Sequence, residues 1–187
     1  MRRHLICVGA GLLAILCFVA TAASTDLNPE APPETAQFSF LIGDWDCVTK
    51  FMKPDGSGYT FGKARWTGTY ILDGWAIQDY WVGYGPDGQE NYGTNIRTFN
   101  PETQRWDNQW VAAGKLQWVY FEAEKVGETM VMTGGEGSDP NGHYIDRNIF
   151  YEIGENRFRW RKDRSYDGGK TWFEGIGFIE AVRADSE

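Results

Sequence analysis

The chain has 187 residues, 42% of them hydrophobic and 16% aromatic, with 18 Lys and Arg against 26 Asp and Glu. That length gives one domain able to enclose its own core, and the aromatic load excludes a chain disordered along most of its length. A net charge of −8 argues against a general nucleic-acid partner, because neutralising phosphates needs clustered Lys and Arg.

The first segment reads as an address. Arg2, Arg3 and His4 precede an apolar run from Leu5 to Ala20, and Ala20-Thr21-Ala22 supplies small residues at cleavage spacing. Residues 1–24 are therefore expected to be a signal peptide, and the mature protein periplasmic or secreted, with no stable membrane insertion. An uncleaved anchor is the alternative, since the run approaches spanning length. Cys17 follows Ile15 and Leu16, so the small residue of a lipoprotein signal is missing. Cleavage leaves 16 Lys and Arg against 26 acids, a net −10, and Cys47 as the remaining cysteine. One cysteine closes no intramolecular disulfide, so the mature fold must rest on packing. Cys47 falls within an apolar alternation, as a buried, inert thiol would.

Residues 25–36 hold Pro29, Pro32 and Pro33 among acids. They are expected to form a flexible leader outside the fold. From residue 37 to 184 the pattern changes. Turn signals recur about every ten residues, at Pro54-Asp55-Gly56, Asp73-Gly74, Gly85-Pro86-Asp87-Gly88, Asn100-Pro101, Gly127, Gly134 to Gly142, Gly154-Glu155-Asn156 and Asp167-Gly168-Gly169. Aromatic and β-branched runs fill the intervals, and no helical period lasts three turns. The expected strands are 45–53, 59–70, 75–84, 91–99, 105–112, 115–125, 129–133, 143–153, 157–164 and 171–183. The fold class is all-β: ten short strands joined by hairpins predict a single up-and-down antiparallel barrel, which removes sheet edges by closing.

Phe38 to Trp45 leads an apolar turn into Gly43-x-Trp45 at the head of the first strand, and Arg183 ends the last. This resembles the lipocalin opening. The resemblance implies that Trp45 packs in the barrel base beneath Arg183, a cation over a π face. The segments Phe40 to Trp45, Arg65-Trp66, Gly93 to Pro101, Trp106-x-x-x-Trp110 and Asp163 to Trp172 are similar to a family of bacterial secreted lipocalin-like proteins, calycin-type barrels whose chemistry is not established. That similarity spans most of residues 38–183. It implies a lipocalin-like barrel and, at its broadest, a small-molecule site, but no reaction. A more distant similarity is to haem-binding barrels of the nitrobindin kind.

Ser165-Tyr166-Asp167-Gly168-Gly169-Lys170-Thr171-Trp172 matches the Asp-box of sialidase propellers. A propeller needs several copies and this chain has one. The segment is read as a turn device, with Asp167 accepting backbone N–H bonds, Gly169 or its neighbour turning the chain, and Trp172 pinning the arm. His143 is the one histidine left after cleavage. A single histidine builds no zinc site unaided, so no metal is expected. It could serve as an axial haem ligand, the alternative to an expectation of no cofactor. Glu136, Asp139 and Asn141 sit in a glycine-rich loop whose order fits neither an EF-hand nor a phosphate loop. A flexible acidic rim is expected there.

Polar residues on otherwise apolar faces, together with nearby aromatics, are the candidate ligand contacts: Trp66, Tyr70, Gln78 and Tyr80, Asn95 and Arg97, Trp106, Asn108 and Trp110, and Tyr144. Tyr144, Asp146 and Asn148 alternate along one strand. Pointing inward, such groups would orient a ligand among aromatic walls. The same aromatics could also fill a small barrel solidly. The leading expectation is an exported lipocalin-like protein binding a small, partly apolar ligand. The alternatives are an isomerase- or cyclase-like enzyme acting in the barrel on a small hydrophobic substrate, with Asp79, Tyr80, Arg97 or Asp146 carrying protons, and an interaction module without a ligand.

Overall fold

A computed structural model describes residues 26–85 and 87–184. The expected signal peptide lies outside these residues. A 3₁₀ helix, Pro33–Leu41, precedes ten strands: β1 Gly43–Met52, β2 Tyr59–Ile71, β3 Ala76–Tyr84, β4 Glu90–Asn100, β5 Arg105–Ala112, β6 Val119–Val126, β7 Thr129–Asp139, β8 Gly142–Tyr151, β9 Arg157–Ser165 and β10 Phe173–Arg183. Each strand pairs antiparallel with its sequence neighbours, and β10 returns to pair with β1, so the sheet closes into a barrel. The expected ten-strand meander is thus what forms. Closure leaves no row of unpaired backbone groups.

The strands show the two-residue period of a sheet with one buried face. Trp45, Cys47 and Thr49 are buried on β1, and Ala64, Trp66 and Tyr70 on β2. Gly68 is buried on that same β2 face, and the residues that alternate with these are more exposed. Inside the base, Phe38, Leu41, Trp45, Trp106, Phe150 and Phe158 form a close-packed cluster. Their rings meet edge to face: Phe38 on Trp106 at 4.9 Å and Trp45 on Phe158 at 4.8 Å between ring centres. Edge-to-face contact suits the ring quadrupole.

Two expectations need correction. Residues 26–36 are not a free leader. Asn28 donates from its amide nitrogen to the Asp73 carbonyl at 2.9 Å, Ala31 is buried and Thr35 is fully enclosed. The prolines that suggested an extended spacer instead start the 3₁₀ helix, where Pro is preset for the first turn. The helix carries Phe38 and Leu41 into the barrel base. The glycine-rich stretch 134–142 is also mostly strand. The β7–β8 ladder shifts register between Gly134 and Gly137, then resumes to Asp139. Those glycines build a bulge rather than a loop. The acidic residues therefore stand on a hairpin rather than a flexible rim.

Candidate functional site

The two ends of the barrel differ. The lower end, where β1 starts and β10 finishes, is sealed. The Arg183 guanidinium carbon lies 3.8 Å above the Trp45 ring centre. Arg183 donates to the Ile42 and Glu155 carbonyls, and the Trp45 indole donates to the Leu41 carbonyl at 3.0 Å. This follows from register, since Trp45 and Arg183 are direct partners across the closing seam. Gly43 makes the space: a Cβ there would collide with the Arg183 guanidinium.

The upper half is hollow. A cavity of about 430 Å³ opens among the inner faces of the strands, within the size range of small-molecule sites. The barrel has room for a ligand. Its walls are aromatic, with Phe51, Trp66, Trp81, Trp110, Phe121 and Trp160 among them. Several of these rings lie close against glycine. Trp110 covers Gly93, Phe121 covers Gly135 at 2.6 Å and Phe51 covers Gly177 at 2.8 Å, measured to where a Cβ would stand. Any side chain at those glycines would push a ring inward.

Deep in the cavity sit polar groups. Asp79 on β3 forms an ion pair with Arg97 on β4, each almost fully enclosed. Burial pulls the Arg97 guanidinium down to about 9, so it remains a cation at neutral pH, with Asp79 compensating it. An enclosed charge needs such a partner. The Arg97 guanidinium carbon stands 5.0 Å from the Phe38 ring centre and 5.9 Å from that of Phe150. Opposite, Lys162 enters the cavity from β9 and pairs with Asp146 at 2.7 Å. Arg164 also grips Asp146, at 2.8 Å. Four further polar atoms of residues that line the cavity are themselves buried away from it, with no hydrogen-bond partner among the described residues: Trp66 Nε1, Arg97 Nε, Asn95 Oδ1 and Asn148 Oδ1.

Of the ten expected ligand contacts, Trp66, Asn95, Arg97 and Trp110 line the cavity. Three others are inside but belong to the filled base or its edge. Tyr70 is buried there, Trp106 donates to Gln37 at 3.1 Å, and Asn108 donates to the Trp106 and Phe121 carbonyls at 3.4 and 3.5 Å. Tyr144 does not line the cavity. It lies beneath Arg164, 3.4 Å from the guanidinium carbon. Gln78 and Tyr80 face outward, where Gln78 donates to Thr94 at 3.0 Å and Tyr80 is 47% exposed. The inner face of β3 is Ile77, Asp79, Trp81 and Gly83, because Trp81 pairs with Trp66 and Asp79 with Asn95. Slipping one position exchanges the faces of a strand. The acid on the inner face hid the correct register, since only Arg97 makes it tolerable there.

Residues that sequence reasoning missed include Trp160 and Lys162 on β9 and Phe121 on β6. The β9 pair was within reach, since Phe158 and Trp160 share a face that continues to Lys162. The remaining expected structural residues act outside the cavity. Asp167 accepts from the Thr171 and Lys170 backbone at 2.9 and 3.0 Å and from the Thr171 hydroxyl at 2.7 Å. Led by the Thr171 backbone N–H, these bonds hold its carboxyl well below the usual range. Gly169 has a φ of +87° in that turn. Trp172 lies under the Arg147 guanidinium at 4.2 Å, and Arg147 bonds the enclosed Asp163 at 2.8 Å. The turn therefore closes over the outer wall. His143 is two-thirds exposed on the β7–β8 hairpin, 3.8 Å from Glu136, and does not line the cavity.

No protein-family model matches the chain, and a search of curated proteins finds no match either. The fold itself, a closed ten-strand antiparallel barrel, is compatible with the calycin type. Among the described residues, no helix is long and apolar enough to cross a membrane.

Proposed function

We propose that this is an exported, lipocalin-like binding protein that carries a small, partly apolar ligand in the upper half of its barrel. The observation that carries the reading is the cavity itself: about 430 Å³, aromatic-walled, with Asn95, Arg97 and Asn148 among the residues that line it. A few placed polar groups in an apolar hollow are what orients a bound small molecule. The plugged base favours entry from the upper end only. The apolar run and small-residue site within residues 1–24 support export to the periplasm or beyond.

Native mass spectrometry of the protein purified from the cells that make it tests this. The expected spectrum contains a species heavier than the polypeptide by one small molecule, released on unfolding. A bare polypeptide that also fails to bind the neutral dye N-phenyl-1-naphthylamine would overturn it.

A second reading, a chamber enzyme, draws on one observation. Asp79 is a buried carboxylate on the cavity wall beside a buried cation, an arrangement found where protons are moved. Of the other expected proton carriers, Tyr80 points out of the barrel and Asp146 is held by two cations. Turnover of a co-purified molecule by the wild type, lost in Asp79→Asn, would favour this reading over simple carriage.

A further inference from the structure

Resting on the reading of the barrel as a binding protein, strand register and cavity lining together bear on how a ligand gets in. We infer that the cavity is entered sideways, through a portal between the upper ends of β2 and β3, with Phe61, Lys63 and Tyr84 at its banks.

The argument begins with the ladder. β2 and β3 pair from Ile71 and Ala76 up to Lys63 and Tyr84. Above that rung β3 turns away, its turn closed by the Gly85 N–H donating to the Gln89 carbonyl at 2.8 Å. Residues Tyr59 to Gly62 of β2 continue upward, and among the described residues their ladder partners are on β1 alone. The upper end of β2 therefore has no strand along its second side. A barrel of staggered strands leaves such a notch where one strand outruns its neighbour.

The cavity comes out at this notch. Successive side chains point to opposite faces of a strand, so a barrel interior is lined from inner-face positions, as Thr49, Asp79 and Asn95 line this one. Three lining residues belong by register to the outer face: Phe61, Lys63 and Tyr84. Lys63 and Tyr84 form the lowest rung of the notch, and Phe61 is the next outward residue of β2 above it. Outward residues reach an interior cavity only where the wall is open. Phe61 is also 64% exposed, which leaves a phenyl group in water where an apolar ligand would arrive.

The opposite side of the upper end is tied across. Arg164 on β9 bonds Asp146 on β8 at 2.8 Å and Asp139 on β7 at 3.0 Å, and its guanidinium carbon lies 3.4 Å from the Tyr144 ring centre. None of these four residues lines the cavity. The β6–β7 ladder likewise stops short, at Phe121 and Gly134, while β7 runs on to Asp139. Rings stand against that second gap. Phe121 lies 2.6 Å from where a Cβ on Gly135 would stand, and a Cβ on Gly137 would collide with Tyr144. No residue from 135 to 139 lines the cavity. The gap beside β2 is the one the cavity reaches.

Stopped-flow binding of N-phenyl-1-naphthylamine at pH 7 tests the inference, with fluorescein maleimide attached to Phe61→Cys and, in a second variant, to Lys63→Cys. Trp118→Cys carries the same label in the β5–β6 loop, at the same end of the barrel. Trp118 is exposed and does not line the cavity. Wild type treated with the reagent controls for Cys47. The label at either portal position is expected to slow association about tenfold or more and to slow dissociation with it, because an obstructed route impedes both directions. The label on Trp118→Cys should leave both rates within about twofold of the wild type. Equal slowing from that label, or no slowing from the portal labels, would overturn the portal while leaving a binding barrel intact. So would a weaker affinity at unchanged association rate, which marks a disturbed cavity rather than a blocked path. If the unlabelled wild type binds no dye and carries no small molecule, the proposed function falls, and the portal with it.

Discussion

The two halves of this barrel use the same residue types to opposite ends. At the base, Phe38, Trp45, Trp106 and Phe158 meet edge to face on the axis, because a 3₁₀ helix brings Phe38 and Leu41 in from below. In the upper half, Trp110, Phe121 and Phe51 lie back against glycines and leave the axis open. Aromatic content therefore does not decide whether a small barrel is solid or hollow. What decides it is whether something enters along the axis and whether the wall opposite each ring is bare enough to receive it. The base is bound to stability and the upper half to function, and variants should separate the two.

The largest expected effect lies at the base. Trp45→Ala removes a fully enclosed indole together with its stacking under Arg183, and should cost about 3–5 kcal/mol of unfolding free energy. Urea unfolding measures it. Affinity for N-phenyl-1-naphthylamine in the folded protein should stay near that of the wild type, since Trp45 does not line the cavity. Loss of dye binding without loss of stability would erase the distinction between the halves.

The converse variant is Gly93→Val. The new side chain would drive the Trp110 ring toward the axis, so dye binding should be lost. The stability cost of the overpacking should be smaller, about 1–3 kcal/mol. Unchanged dye affinity would mean that the placement of Trp110 against Gly93 is not what keeps the cavity open.

Outside both halves, the Asp167 turn offers a pH signature. Its folded carboxyl is held below the ordinary range by the Thr171 backbone N–H and its companions. Its contribution is therefore complete above the unfolded value, about 3.9, and is lost as pH falls through the depressed folded value. Asp167→Asn should be less stable than the wild type at pH 6, and the gap should narrow below about pH 4. A gap constant with pH would show that the charge is immaterial to the turn.

The smallest effect is expected at Cys47, which lies on the inner face of β1 between the two regions. Burial, reinforced by Asp46, pushes its thiol up to about 12. Native protein at pH 8 should not react with Ellman's reagent, and unfolded protein should react fully. Fast labelling of the native state would show that the barrel wall opens there.

Much of the architecture was legible in the sequence. Turn residues every ten positions marked the hairpins, and the resemblance of Gly43-x-Trp45 and Arg183 to the lipocalin opening implied the contact that the closing seam makes. The Asp167 turn was equally plain, being local. Strand facing was not, wherever both faces carry mixed chemistry. In β3, Tyr80 and Val82 outweigh Asp79 and Gly83 on an apolar count, and only the distant Arg97 explains an inward acid. Phe51 and Phe121 went unnoticed because what places them is a partner on another strand: Gly177 and Gly135. The prolines at 32 and 33 read equally as a spacer and as the start of a plug, until Thr35 and Phe38 are seen enclosed. The hollow itself is a property of facing pairs, Trp110 with Gly93 foremost, and a linear pattern does not reveal such pairs.

A crystal soaked in iodobenzene tests the central claim most directly, because the iodine reports its own position by anomalous scattering. The account predicts a strong peak inside the barrel, above Phe150 and between Trp110 and Trp160. An interior filled by side chains, with iodine found only on the outer wall, would contradict it.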